Sequence, residues 1–219
     1  MHSRKVHTAI SAQALRPAVH WQIMPQPGGA FNLKSYIRHR FVHAQAQVLA
    51  FLKRYDEAIG VYRHAISLDP HDAKAWRCMA FLHAQLEQND LAVNAFRKTL
   101  AIDPQDANTR FNLGFVLHKL KLYPEAITEF EAVINIAPKN DRAWYGLGLC
   151  RAELGATEEA VTALKEASKL QYFNPHAAYH LALACHKLGR QDELLEEYKR
   201  VKGFDPKQAE QIRRETGIA

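Results

Sequence analysis

The chain has 219 residues, 47% of them hydrophobic and 24% charged, which is apolar material enough to bury a core in one or two domains. Its formal net charge of +6 is uneven: residues 1–55 carry eight lysines and arginines and no acid, whereas the remaining 21 basic residues face all 23 acidic ones, for a balance of −2. Three cysteines, Cys78, Cys150 and Cys185, are an odd number without metal-site spacing, so no disulfide framework is expected and a reducing compartment is.

Residues 1–30 hold Pro17, Pro25, Pro27, Gly28 and Gly29 and only a short amphipathic pattern at Val6, Ile10 and Leu15, the composition of a flexible basic arm. The stretch lacks the apolar core of a secretory signal, and no window of the chain approaches the roughly 18 uninterrupted apolar residues of a membrane helix. A cytoplasmic location is therefore expected, with organellar import through the basic N-terminus, or anion binding by it, as alternatives. Phe31, Leu33, Tyr36 and Ile37 then open an apolar stretch, and residues 31–38 are expected to cap or extend a first helix.

From residue 39 a 34-residue period sets in. Gly114, Ala126, Phe130 and Pro138 recur one period earlier as Ala80, Ala92, Phe96 and Pro104, and one period later as Gly148, Ala160, Leu164 and, at the proline slot, Tyr172. Further steps reach Ala46, Ala58, Tyr62 and Pro70 on one side and Ala182, Leu194, Tyr198 and Pro206 on the other. Five units follow without insertion: 39–72, 73–106, 107–140, 141–174 and 175–208, with 209–219 left for a short C-terminal cap.

Each unit reads as two antiparallel helices. Acidic residues open the second one (Asp56 and Glu57, Asp90, Glu125, Glu158 and Glu159, Asp192 and Glu193), where its dipole favours them. The hairpin turn holds Gly155 and Gly189 in the last two units, as a left-handed helix end wants, but Lys53, Glu87 and Lys121 in the first three. Small residues at Ala46, Ala80, Gly114, Gly148 and Ala182 face Ala58, Ala92, Ala126 and Ala160 and let helices approach closely. Tyr62, Phe96, Phe130, Leu164 and Tyr198 are expected to fill the gaps, and Leu68, Ile102, Ile136, Leu170 and Phe204 are assigned to the core with them. At the joint after unit four, Pro175 predicts a helix start there, with Phe173 at the surface. Beyond Phe204 little apolar material remains, so the C-terminal face is expected to be poorly covered, a surface open to homo-oligomer formation.

This period and these residues resemble the tetratricopeptide repeat, whose core Trp144, Leu147, Gly148, Ala160 and Leu164 reproduce. The resemblance covers the five units and implies an all-α, right-handed superhelical solenoid of helix-turn-helix repeats. It also implies a concave groove lined by the first helix of each unit. Carried residue by residue onto this chain, the lining is Arg40, His43 and Gln47; Lys74, Arg77 and Phe81; Asn108, Phe111, Asn112, Phe115, His118 and Lys119; Arg142, Tyr145, Leu149 and Glu153; and His176, Tyr179, His180, Leu183, His186 and Lys187. It is basic and aromatic with one acid, which suits a partner segment rich in acidic and bulky apolar residues. Members that clamp a C-terminal carboxylate use lysine, asparagine and arginine from successive units. Arg77, Asn112 and Arg142 match those positions in part, while Phe81 and Gly146 replace two polar members.

Chemistry of other kinds is sparse. His176 and His180, and likewise His39 and His43, are four apart, but neither pair has an acidic or cysteine ligand nearby in sequence to complete a zinc site, so no metal is assigned. There is no glycine-rich phosphate loop and no nucleophile elbow, and neither an enzyme nor a cofactor is expected. The sequence thus points to a non-catalytic scaffold or adaptor for a partner protein. The alternatives are an anion binder acting through the basic arm on nucleic acid or acidic lipid, and an accessory subunit of a larger enzyme or secretion assembly. Of these, nucleic acid is the less expected partner, and the arm is expected to stay out of a groove that shares its charge.

Overall fold

The computed structural model describes residues 33–218, of which residues 38–218 belong to one compact body. The readings of residues 1–30 as an arm, a targeting segment or an anion-binding tail lie outside the described residues. Among the described residues there are eleven helices and no strand: α1 (Leu33–Phe51), α2 (Tyr55–Leu68), α3 (Ala73–Gln85), α4 (Asn89–Ile102), α5 (Ala107–Lys119), α6 (Tyr123–Ile136), α7 (Asp141–Glu153), α8 (Thr157–Leu170), α9 (Pro175–Lys187), α10 (Gln191–Lys202) and α11 (Pro206–Thr216). No helix among them is long and apolar enough to cross a membrane.

Two different devices start the helices. The first helix of each hairpin from α3 onward is capped by a side chain: Asp72 accepts from the Ala75 amide, Asp106 from Asn108 and Thr109, Asn140 from Ala143, and Asn174 from His176 and Ala177. The second helices have no side-chain cap and are entered directly from the hairpin turn, with acidic residues at their positive ends. In every turn the same pair of bonds closes the first helix. Gly155 N–H reaches Ala152 O and Ala156 N–H reaches Arg151 O, and the pattern recurs at Lys53 and Arg54, Glu87 and Gln88, Lys121 and Leu122, and Gly189 and Arg190. That geometry demands a left-handed residue at the turn, so Lys53, Glu87 and Lys121 adopt φ of 59°, 60° and 61° alongside Gly155 at 79° and Gly189 at 71°.

The expected helix-to-helix contacts form. Ala46, Ala80, Ala58, Ala92, Ala126, Ala160 and Ala182 are completely enclosed, and Tyr62, Phe96, Phe130 and Leu164 are buried over them, while Tyr198 is only half-buried. The row Leu68, Ile102, Ile136, Leu170 and Phe204 departs from its assignment to the core. Leu68 is 53% exposed, Leu170 40% and Ile136 38%, because each ends a second helix, where no further turn stands over it. At the joint after unit four, α9 begins at Pro175 and Phe173 is 71% exposed, as its sequence predicts.

The C-terminal end also differs from expectation. Asp205 caps a helix that starts at Pro206, ahead of the anticipated 209, because α10 already ends at Lys202. This helix, α11, packs on α9 and α10 with Ala209 and Ile212 buried, so the C-terminal cap covers more of the face than the expected short segment would.

Consecutive hairpins stack through the whole body, but not symmetrically. The first helices touch in series, α3 to α5, α5 to α7, α7 to α9 and α9 to α11, with no comparable contact between second helices among the described residues. A stack whose first helices lie closer together curves toward them, and their shared face becomes the inner one.

Candidate functional site

The residues expected to line the groove fall on α3, α5, α7 and α9, and none of those from Lys74 to Leu183 is buried. Lys74, Asn108, Lys119, Arg142 and His176 are exposed; Arg77, Phe81, Phe111, Asn112, Phe115, His118, Tyr145, Leu149, Tyr179, His180 and Leu183 are half-buried, as is natural for side chains seated between successive first helices. In the first unit Arg40 and Gln47 are exposed, but His43 is 4% exposed and belongs to the interior, which removes it from the lining.

One position, the fifth of each unit, runs along this face as His43, Arg77, Phe111, Tyr145 and Tyr179, and its chemistry changes from polar to aromatic. In the first two units it meets the capping carboxylate of the next first helix. His43 Nε2 lies 2.7 Å from Asp72 Oδ2, with His39 Nε2 also 2.7 Å from the same oxygen, and Arg77 Nη1 donates to Asp106 Oδ2 at 2.7 Å. Burial would raise the Asp72 carboxyl, but bonds from His43, the Ala75 amide and His39 outweigh it and bring it down to about 2. Asp106 is likewise held below the ordinary carboxylate range, burial being overcome by Arg77 and Thr109. Arg77, by its sequence position a free cation of the groove, is instead committed to Asp106, 29 residues away in sequence.

In the later units the capping residue becomes Asn140 or Asn174 and the fifth position aromatic. Arg142 stacks over the Phe111 ring at 4.7 Å, and Phe111 packs against Phe130 at 5.9 Å. The Tyr145 and His180 rings lie 5.8 Å apart, and Tyr179 flanks His180 edge-on at 5.0 Å while its hydroxyl donates to Glu215 of α11 at 2.6 Å. Burial in this stack, then the neighbouring His176, depress His180 to about 4, and burial pushes Tyr145 up to about 12. Among the described residues Lys74, Lys119 and Arg142 have no carboxylate in salt-bridge range. These three, unlike Arg77, are cations of the lining with capacity to spare.

Two features of this face are missing from the sequence reading. The pairing of Asp72 and Asp106 with the preceding unit has a signal, since both are acidic at the same repeat position, 29 residues after a histidine and an arginine. The second is a lock on the inter-unit loops: Trp76 Nε1 donates to Pro70 O at 3.0 Å, Arg110 Nε to Pro104 O at 3.1 Å, and Trp144 Nε1 to Pro138 O at 2.9 Å. The tryptophan of the repeat and its arginine substitute thus hold the carbonyl at the proline slot.

The sequence profile of the tetratricopeptide repeat matches residues 52–108, 84–147 and 117–184, together more than half of the chain. No curated protein sequence matches the chain. Among solved structures, a crystal structure of MamA is similar with a TM-score of 0.72 at 19% identity, over 75% of this chain and 96% of that one. A MamA fragment from Desulfovibrio magneticus RS-1 gives 0.69 at 22% identity, over 82% and 97%. YrrB, a TPR protein with an unusual peptide-binding site, gives 0.71 at 19% identity, over 79% and 90%. Likeness at such identities is a likeness of fold. With the profile match, the repeated capped hairpins and the stacked first helices, it leads to one conclusion: this chain belongs to the tetratricopeptide repeat family.

Proposed function

We propose that the protein is a non-catalytic scaffold that holds a segment of a partner protein against the shared face of α3, α5, α7 and α9. One observation carries the reading: half-buried Phe81, Phe111, Phe115, Tyr145 and Leu149 share that face with exposed Lys74, Lys119 and Arg142, which have no carboxylate partner among the described residues. Aromatic walls beside cations that lack a carboxylate partner are the makings of an interface hot spot, and they favour a segment with both acidic and bulky apolar residues. The family's repeats bind protein and peptide partners, and YrrB has a peptide-binding site, which supports this class of ligand. Arg77 has no part in gripping the ligand, because a buried carboxylate already engages it.

Panning a displayed peptide library on the folded chain tests the proposal. Enriched peptides should combine aspartate or glutamate with leucine, phenylalanine or tryptophan, and should be lost on a Phe115→Ala, Lys119→Ala double variant that keeps its helical circular dichroism. Enrichment of basic peptides, or equal capture by the variant, would move the site off this face.

A further inference from the structure

We propose that His39, His43 and Asp72 form a binding site for a divalent transition-metal cation of the zinc type, joining α1 to the start of α3. Three ligand atoms converge: Asp72 Oδ2 is 2.7 Å from His39 Nε2 and 2.7 Å from His43 Nε2, and the two ring nitrogens are 3.2 Å apart. Two imidazoles and a carboxylate are a donor set that zinc accepts, with the fourth position left for water. Ligands at about 2.0–2.1 Å from a tetrahedral ion stand about 3.3 Å apart, close to the present spacing of the two ring nitrogens, so the carboxylate oxygen needs to move away from each ring by about 0.6 Å.

Its surroundings suit the role. The other carboxylate oxygen of Asp72 accepts the Ala75 amide at 2.9 Å, which fixes the ligand as an outer-shell partner should. His43 and Asp72 are buried, with the Tyr62 ring 5.7 Å from His43, whereas the His39 side chain is 40% exposed and offers an entry path. Without a cation the arrangement is awkward. Two N–H groups must crowd onto one oxygen, with their nitrogens only 3.2 Å apart. A cation removes the crowding by accepting both Nε2 lone pairs, each ring shifting its proton to Nδ1. The repeat supplies its own comparison: one period on, Ala73 and Arg77 stand where His39 and His43 do, and there a plain ion pair with Asp106 suffices.

Zinc titration of the untagged full chain by calorimetry, with the His ring nitrogens followed by NMR, tests the site. One Zn2+ should bind per chain, both rings should take the Nδ1–H form, and the unfolding temperature should rise in excess zinc. His39→Gln changes a half-exposed side chain, and Asp72→Asn keeps an oxygen for the Ala75 amide. Each should weaken binding by more than about tenfold, the least that even an outer-shell change costs, while His176→Gln should leave it intact. Absence of saturable binding, or binding that survives His39→Gln, overturns the proposal.

Discussion

A left-handed backbone costs an ordinary L-residue about 1 kcal/mol or more, and three of the five hairpin turns carry that cost at Lys53, Glu87 and Lys121. All three side chains are exposed, so replacing them removes no packing. Lys121→Gly should therefore stabilise the chain, by about 0.5–1 kcal/mol after the larger backbone entropy of glycine in the unfolded state is deducted. Gly155→Ala should destabilise it by a similar amount; urea midpoints of the two variants, at unchanged slope, check both signs. His180 makes a second prediction at this scale. Its folded pKa of about 4 lies below the ordinary 6.5, so as pH falls the unfolded chain takes up the proton first. Stability is fully present above pH 6.5 and is lost progressively between 6.5 and 4, by about 2–3 kcal/mol at the lower end. Denaturation at pH 7 and pH 4.5 should show that loss, and His180→Gln should reduce the pH slope by close to one proton over the window.

At the scale of the element, the repeat's small residues act where a second helix drives a large side chain between two first helices. Phe130 of α6 is the clearest case. A Cβ on Gly114 of α5 would stand 3.0 Å from its ring and one on Gly146 of α7 only 2.5 Å, so the ring is wedged between two glycines and has no room to retreat. Glycine to alanine inside a helix ordinarily gains about 1 kcal/mol, yet here the overpacking term of about 1–3 kcal/mol should win. Gly146→Ala is expected to lower stability, and adding Phe130→Leu should restore part of it, a coupling that a double-mutant cycle measures directly. Gly146 is legible in the sequence only as a missing polar residue of a carboxylate clamp; that it makes room for Phe130 needs the neighbouring helix in place.

At the scale of the molecule, what can be read from the chain is whatever repeats. The 34-residue period places the hairpins, the enclosed alanines and even the non-glycine turns, because each rests on contacts that recur in phase. Features broken across units stay hidden. His43 and Arg77 read as groove residues because their helix faces inward, but their partners Asp72 and Asp106 also serve as helix caps, and in the sequence the pairing shows only as an acid recurring 29 residues after each of them. The exposed row of Leu68, Ile136 and Leu170 misleads for a related reason, since being apolar in every unit does not reveal that the helix ends there.

A ligand on this face should feel the difference between paired and unpaired cations. Charge at an interface mainly sets the rate of encounter, and buried aromatic contact sets the lifetime of the complex. Lys74 and Lys119 are exposed and, among the described residues, lack a carboxylate partner, so Lys74→Ala and Lys119→Ala should each slow association of an acidic peptide by about two- to tenfold at low salt, with the difference fading as salt screens the charge. Phe115 is half-buried without a ring contact to another helix among the described residues, unlike Phe111, which supports both Phe130 and Arg142. Phe115→Ala is thus the cleaner probe, and should speed dissociation about tenfold or more, the loss of one hot-spot side chain. Arg77→Ala should act differently from all of these. It strands the Asp106 carboxylate, so its effect belongs in the urea midpoint, with association rate and salt dependence close to those of the parent. Stopped-flow kinetics of the four variants against one peptide from the library separates the outcomes: if Arg77→Ala slows association as much as Lys119→Ala, the guanidinium is released from Asp106 when ligand arrives, and the cap rather than the lysines governs entry to the face.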